Sequence, residues 1–285
     1  MSPTFVLVHG SNGNARSWAG IQRELVLRGH RSLAVDLPGH GAGAGLSASY
    51  QAPQDLAAFA AEPSPLADVT HADWVEHVIG VVRRAREHGP VILVGHSRGG
   101  VVVTPVANAI PDLLERTVYI AAWCCVDSTA EEYMRGPEWA TSALHLTKTQ
   151  GFVAADPAEL GVLRFNWRLA DAGLLAALKE ALLADGTDQQ FFAMLNGFEP
   201  DEILDFGTDR ADADTWGRVP HTYVRLTKDL SMPLTLQDRL IKEADALTPA
   251  SPFEVHSLDT SHGGIGLRAR ELADILHDSA RRAVA

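Results

Sequence analysis

The chain predicts an α/β architecture: a mostly parallel central sheet flanked by helices, with a helical cap inserted between two sheet strands. Three observations carry this. Short apolar, β-branched runs alternate with helical patterns through residues 1–127; the alternation stops over residues 128–216; it resumes over 217–285. The outer stretches are read as one core domain. The middle stretch, at roughly 90 residues, is too long for a plain loop and is read as a structured cap.

The elements follow in order. Thr4 to Val8 is an apolar strand that stops at His9-Gly10. A polar loop over 11–17 leads to a helix from Trp18 to Leu27, for which Gly29 supplies the C-terminal stop. Ser32 to Asp36 is a second strand, closed by the turn residues Pro38-Gly39-His40-Gly41. Residues 42–70 lack periodicity and read as a surface excursion with a short helix around 54–61. Trp74, Val78, Val81 and Val82 share one face of a helix over 71–87, and Val91 to Val94 is a fully apolar strand. A helix over 99–109 and a strand over 117–121 complete the first half. The middle stretch carries helices over 173–183 and 189–196 and shows no strand of the earlier kind. A strand at 221–226, a helix at 233–246, a strand at 253–258 and a closing helix at 268–282 finish the core.

Composition narrows the class. Of 285 residues, 46% are hydrophobic and 21% charged, as in an ordinary globular protein. A net charge of −12 without any basic cluster argues against nucleic acid or an anionic membrane as partner. No apolar run approaches the ~20 residues of a membrane span, and the opening apolar run is too short for a secretion signal. The only cysteines, Cys124 and Cys125, are adjacent, so they read as buried small residues after a strand rather than as a disulfide or zinc site. A cytoplasmic protein, monomeric or homodimeric, without metal or cofactor and acting on a small molecule, is expected.

The chemistry centres on Gly95-His96-Ser97-Arg98-Gly99, placed between a strand and a helix. A serine in that setting sits in a strained turn that lifts its hydroxyl out, and the flanking glycines relieve the crowding this causes. A hydroxyl needs a base, and twelve histidines are available. His262 stands out because it lies in the loop directly after the last strand, where open α/β sheets place reacting groups. His96 adjoins the serine, but the turn aims it away. For the acid that orients the imidazole, Asp229 closes the 221–226 strand and falls between Ser97 and His262 in the chain. Asp127, after the preceding strand, remains an alternative, whereas Asp259 is too close in sequence to face the His262 ring. The amides of Arg98 and Ser11 are candidate oxyanion donors, the latter in the loop after the first strand. Trp123, Trp139, Phe165, Trp167 and Phe191 are candidates for an apolar substrate wall.

These residues resemble the α/β-hydrolase superfamily, in particular the branch of plant methyl-ester esterases and hydroxynitrile lyases with their bacterial relatives. The matching segments are Phe5 to Gly10, Trp18, Asp36 to Gly41, Val94 to Gly100, Tyr119 to Ala122, Thr227 to Asp229 with Gln237, and Ser261-His262. The resemblance implies a Ser97–Asp229–His262 triad beneath a helical cap, and favours Asp229 over Asp127. It also implies departures. The hydroxynitrile lyases carry threonine at the place of Gly10 and lysine after the histidine, so cyanohydrin cleavage is disfavoured. Gly263-Gly264 replaces the Ser-Pro pair of many bacterial relatives, which suggests a looser loop or extra room beside His262. The function expected is hydrolysis of a carboxylic ester of a small or medium apolar molecule through an acyl-enzyme. Elimination, cyclisation or acyl transfer by the same triad is the alternative, and a ligand receptor a remote one. Epoxide hydrolase and dehalogenase chemistry would need a carboxylate at position 97.

Overall fold

In the computed structural model, which describes residues 2–148 and 152–283, the chain opens with β1 (Thr4–Val8), α1 (Ala19–Leu27) and β2 (Arg31–Val35). The excursion follows with α2 (Leu56–Ala61), then α3 (His71–Arg86), β3 (Val91–His96), α4 (Gly100–Ala109) and β4 (Arg116–Ile120). The inserted segment contains α5 (Ala130–Tyr133), α6 (Ala143–Lys148), α7 (Pro157–Leu160), β5 (Val162–Arg164), α8 (Ala172–Leu183), α9 (Asp188–Gly197) and β6 (Asp201–Ile203). The core resumes with β7 (His221–Leu226), α10 (Leu234–Leu247), β8 (Glu254–Leu258) and α11 (Ala269–Ala283). No described helix is long and apolar enough to cross a membrane.

Six strands form one sheet in the order β2-β1-β3-β4-β7-β8, and every pairing in it is parallel. Parallel strands covered on both faces must be apolar on both, which is why β1 and β4 are buried along their whole length. The chain moves outward from β1 to β2, then crosses back over β1 to β3. Right-handed crossovers therefore put α1 on one face and α3, α4 and α10 on the other. Consistent with this, α1 packs against α11 and α3 against α4. The face of α3 that enters the core carries Trp74, Val78, Val81 and Val82, and a reciprocal cap between Thr70 and Asp73 starts the helix. Such a cap stabilises by about 1 kcal/mol.

The reversal of direction at β1 opens a crevice at the C-terminal ends of β1 and β3, the usual ligand position in such sheets. The inserted segment stands over those ends and has its own apolar cluster, which includes Phe152, Phe165, Trp167, Leu178 and Phe191. Beside its helices it holds two short strands that the sequence reading did not name. β5 and β6 pair antiparallel over three residues each, too short to leave an alternating pattern in the sequence. The excursion is fastened here as well. Arg164 on β5 makes a bidentate pair with Asp201 on β6 (2.7 and 2.6 Å) and donates to the carbonyl of Glu62 (2.7 Å).

Candidate active site

Sheet register sets the first contact. Val8 on β1 lies opposite Gly95 on β3, so two residues further on Gly10 faces Ser97. Ser97 has φ +55°, in the left-handed region that serine adopts only when its surroundings enforce it. Those surroundings are crowded. A β-carbon at Gly95 would fall 2.7 Å from Val103 Cγ2, and one at Gly99 would fall 2.7 Å from the Val8 carbonyl oxygen. The flanking glycines thus let helix α4 close onto β1 and β3, and the serine turns out over their ends.

The same reasoning brings Asp229 and His262 together. Leu226 on β7 pairs with Leu258 on β8, and the loops that follow carry Asp229 and His262. His262 Nδ1–H donates to Asp229 Oδ2 at 2.6 Å, while Asp229 Oδ1 accepts the backbone N–H groups of Ser231 (2.8 Å) and Met232 (2.7 Å). Both carboxylate oxygens are therefore committed, and His262 is left to present Nε2. His96 bonds to the histidine loop and has no described hydrogen bond to the serine hydroxyl. Its Nε2–H donates to the His262 carbonyl at 3.1 Å and its ring lies 4.7 Å from the His262 ring, which ties the histidine loop to the Ser97 turn. Burial, with His262 adding to it, pushes His96 well below the usual imidazole range, so it serves here as a neutral strut.

The loop after β1 is a turn in which Gly13 N–H donates to Gly10 O (3.1 Å) and Asn12 takes φ +55°. Asn12 N–H is used by Glu202 (2.7 Å), whereas Ser11 N–H donates to no acceptor among the described residues. Ser11, Arg98, Ser97 and His262 all line one cavity of about 480 Å³. A β-carbon at Gly10 would lie 2.9 Å from Ser97 Cβ, so the threonine of the lyases could not enter without displacing the serine.

Four of the five aromatics proposed for the wall, Trp123, Trp139, Phe165 and Trp167, line that cavity. Phe191 does not, and this corrects the sequence reading: its ring is buried inside the cluster of the inserted segment, on the side of α9 turned from the cavity. Helical spacing alone could not tell the two faces of α9 apart. Phe152, Phe198, Phe206, Met134, Met194 and Glu202 line the cavity unannounced by any motif. Gly263-Gly264 does not leave space beside His262. A β-carbon at Gly263 would fall 2.5 Å from Met194 Sδ, so the glycines let the inserted segment press directly on the loop. Asp185, after α8, completes that contact by accepting from Thr260 Oγ1 (2.6 Å) and from the Ser261 hydroxyl.

A sequence-family model for the alpha/beta hydrolase family matches residues 5–275. The chain belongs to that family. Among its relatives is a pyrethroid hydrolase of Sphingobium wenxiniae, 24% identical over 276 residues, which span 96% of this chain and 86% of the relative. The rice (Oryza sativa subsp. japonica) esterase PIR7B is 30% identical over 138 residues, which span 46% of this chain and 44% of that one. Similar solved structures include a pyrethroid hydrolase at 23% identity (TM-score 0.73, 99% of this chain and 98% of that one). Polyneuridine aldehyde esterase is another, at 17% identity (TM-score 0.69, 98% of this chain and 100% of that one). The proteins this hydrolase is similar to thus include a pyrethroid hydrolase and a plant esterase.

Beneath the site the hydrolase buries His9. Its Nδ1–H donates to Gly10 O (2.8 Å) and its Nε2 accepts Leu37 N–H (3.3 Å), so the neutral ring is fully used. Burial, then the neighbouring His40, lowers its pKa from 6.5 to about 4. The stability this ring contributes is intact above 6.5 and is lost as pH falls from there toward 4, since only the unfolded chain takes the proton in that window. At ~1.4 kcal/mol per pH unit the loss from His9 is about 3 kcal/mol. His96 and His221, also lowered by burial, act in the same direction. Urea midpoints are expected to fall clearly between about pH 7.5 and about pH 5. Equal midpoints at the two values would contradict this account.

Proposed function

We propose that this hydrolase cleaves carboxylic esters of small or medium apolar molecules by way of a Ser97 acyl-enzyme. The observation that carries the reading is the committed His262–Asp229 pair beside a serine in the left-handed turn. Ser97 Oγ attacks the ester carbonyl carbon and passes its proton to His262 Nε2. Asp229 Oδ2 holds Nδ1–H, fixes the tautomer and stabilises the imidazolium. The carbonyl π pair moves onto oxygen, where the Ser11 and Arg98 amides receive it; one such donor is worth about 3 kcal/mol. Collapse of the tetrahedral species expels the alkoxide, which leaves with the proton from His262. Water then repeats the sequence on the acyl-enzyme and frees the acid.

The inserted segment, residues 128–216, acts in this reading as the cap that closes the cavity and supplies its aromatic walls. The cavity volume suits a drug-sized molecule, and Trp123, Trp139, Phe165 and Trp167 favour an uncharged, apolar one. The relatives named as esterases and as a pyrethroid hydrolase support ester chemistry. A panel of nitrophenyl esters of increasing acyl size tests it, together with mass-spectrometric mapping of a fluorophosphonate adduct. Turnover with the adduct on Ser97 is expected. A folded protein that turns over no ester in the panel would overturn the reading in favour of elimination or acyl transfer.

A further inference from the structure

Both proposed oxyanion donors are anchored by one short strand of the cap. Glu202, at the centre of β6 and 1% exposed, accepts Asn12 N–H with Oε2 (2.7 Å) and Ile203 N–H with Oε1 (3.0 Å). Asn12 is clasped further. Its Nδ2 donates to the Glu199 carbonyl (2.8 Å), and its own carbonyl accepts Glu199 N–H (2.8 Å). Asn12 directly follows Ser11 and holds φ +55°, a left-handed conformation that asparagine tolerates and these contacts lock in place. The clasp therefore sets the turn that aims the Ser11 amide.

The second donor is gripped from the end of the same strand and the residues just after it. The Arg98 side chain is buried, donates through Nη1 to Ile203 O (3.0 Å) and through Nη2 to Asp205 O (2.6 Å), and stacks 3.7 Å over the Phe206 ring. Glu202 Oε1 lies 3.6 Å from Arg98 Nη1 and supplies the nearby opposite charge; His40 Nε2 lies 3.8 Å from the same oxygen. Neither glutamate nor arginine has any part in moving the proton. Their bonds instead run from the cap to the residue after the nucleophile and to the residue after Ser11.

We propose that Glu202, with Arg98 and Asn12 as its partners, is a positioning residue for the oxyanion hole, so that docking of cap strand β6 sets the geometry of both donors. This rests on the ester-hydrolase reading above. Loss of the cap contact should then appear in the transition state and not in substrate binding.

The test uses the full chain with Glu202→Gln, Glu202→Ala and Asn12→Ala. Readouts are kcat and KM on a nitrophenyl ester, and the inhibition constant of an aryl trifluoromethyl ketone. Ser97 Oγ adds to that ketone, its proton passes to His262, and the carbonyl electron pair becomes an oxyanion that needs the same donors. Glu202→Ala is expected to lose about 10²–10³-fold in kcat, the scale of one lost donor, with ketone affinity falling in parallel. KM should stay within about threefold. Glu202→Gln keeps an acceptor for Asn12 N–H and should recover part of the loss. If Glu202→Ala does not fold, Glu202→Gln and Asn12→Ala carry the same comparison. Unchanged kcat and ketone affinity in the folded variants would overturn the proposal, as would a loss expressed in KM alone. A wild-type protein that neither cleaves esters nor binds the ketone would instead remove the ester reading beneath it.

Discussion

Ser97→Ala is expected to lower kcat on any accepted ester by about 10⁶-fold while leaving the protein folded, because removing a nucleophile that works as a unit with its base removes the covalent route entirely. The stability side follows from the local geometry. Alanine at a φ of +55° is no more strained than serine, and Ser97 forms no side-chain hydrogen bond with a described residue that folding depends on. The unfolding midpoint should therefore stay close to that of the parent protein. Steady-state kinetics with purified Ser97→Ala, checked for contamination by active-site labelling, provides the measurement. Retention of more than about a hundredth of parent activity would place the nucleophile elsewhere.

Asp229→Asn carries the second large effect, with a mechanism that the hydrogen bonds define. Asp229 Oδ1 accepts two backbone N–H groups, from Ser231 and Met232, so an asparagine must keep its carbonyl oxygen on that side. Its amide nitrogen then faces His262 Nδ1 and donates to it. The imidazole is forced into the tautomer with hydrogen on Nε2, the nitrogen that must accept the serine proton. Turnover should fall by about 10⁴-fold at neutral pH, with KM little changed. Loss of only a few-fold would show that another group orients His262. The same substitution at Asp127, whose carbonyl merely accepts from Arg210, should leave turnover untouched.

Much of this could be read in the residues alone, for reasons of chain-local physics. Buried parallel strands must be apolar on both faces, so β1, β3 and β4 announce themselves in four to six letters. The turn at Ser97 needs small neighbours, so Gly95 and Gly99 mark it. The order serine, aspartate, histidine follows strand ends that local patterns already locate. The inserted segment was far less legible. Its strands are three residues long, its helices are apolar on more than one side, and no pattern separates Phe191, buried in the segment's apolar cluster away from the cavity, from Phe165, which belongs to that cluster and also lines the cavity.

Gly263-Gly264 shows the same limit in the opposite sense. As letters they suggest slack, yet in space they admit Met194 and the carbonyl of Leu182 against the loop that carries His262. Glu202 is the sharpest case. It sits in a segment, Glu199-Pro200-Asp201-Glu202, that no motif marks, yet it is buried against Asn12 and Arg98. What the residue order determined was the architecture and the candidates for nucleophile, base and acid, because strand burial and strained turns act over a few neighbouring positions. What tertiary structure decided was the cavity wall and the anchoring of the loop after β1, because those depend on contacts between residues nearly two hundred positions apart, for which no local pattern exists.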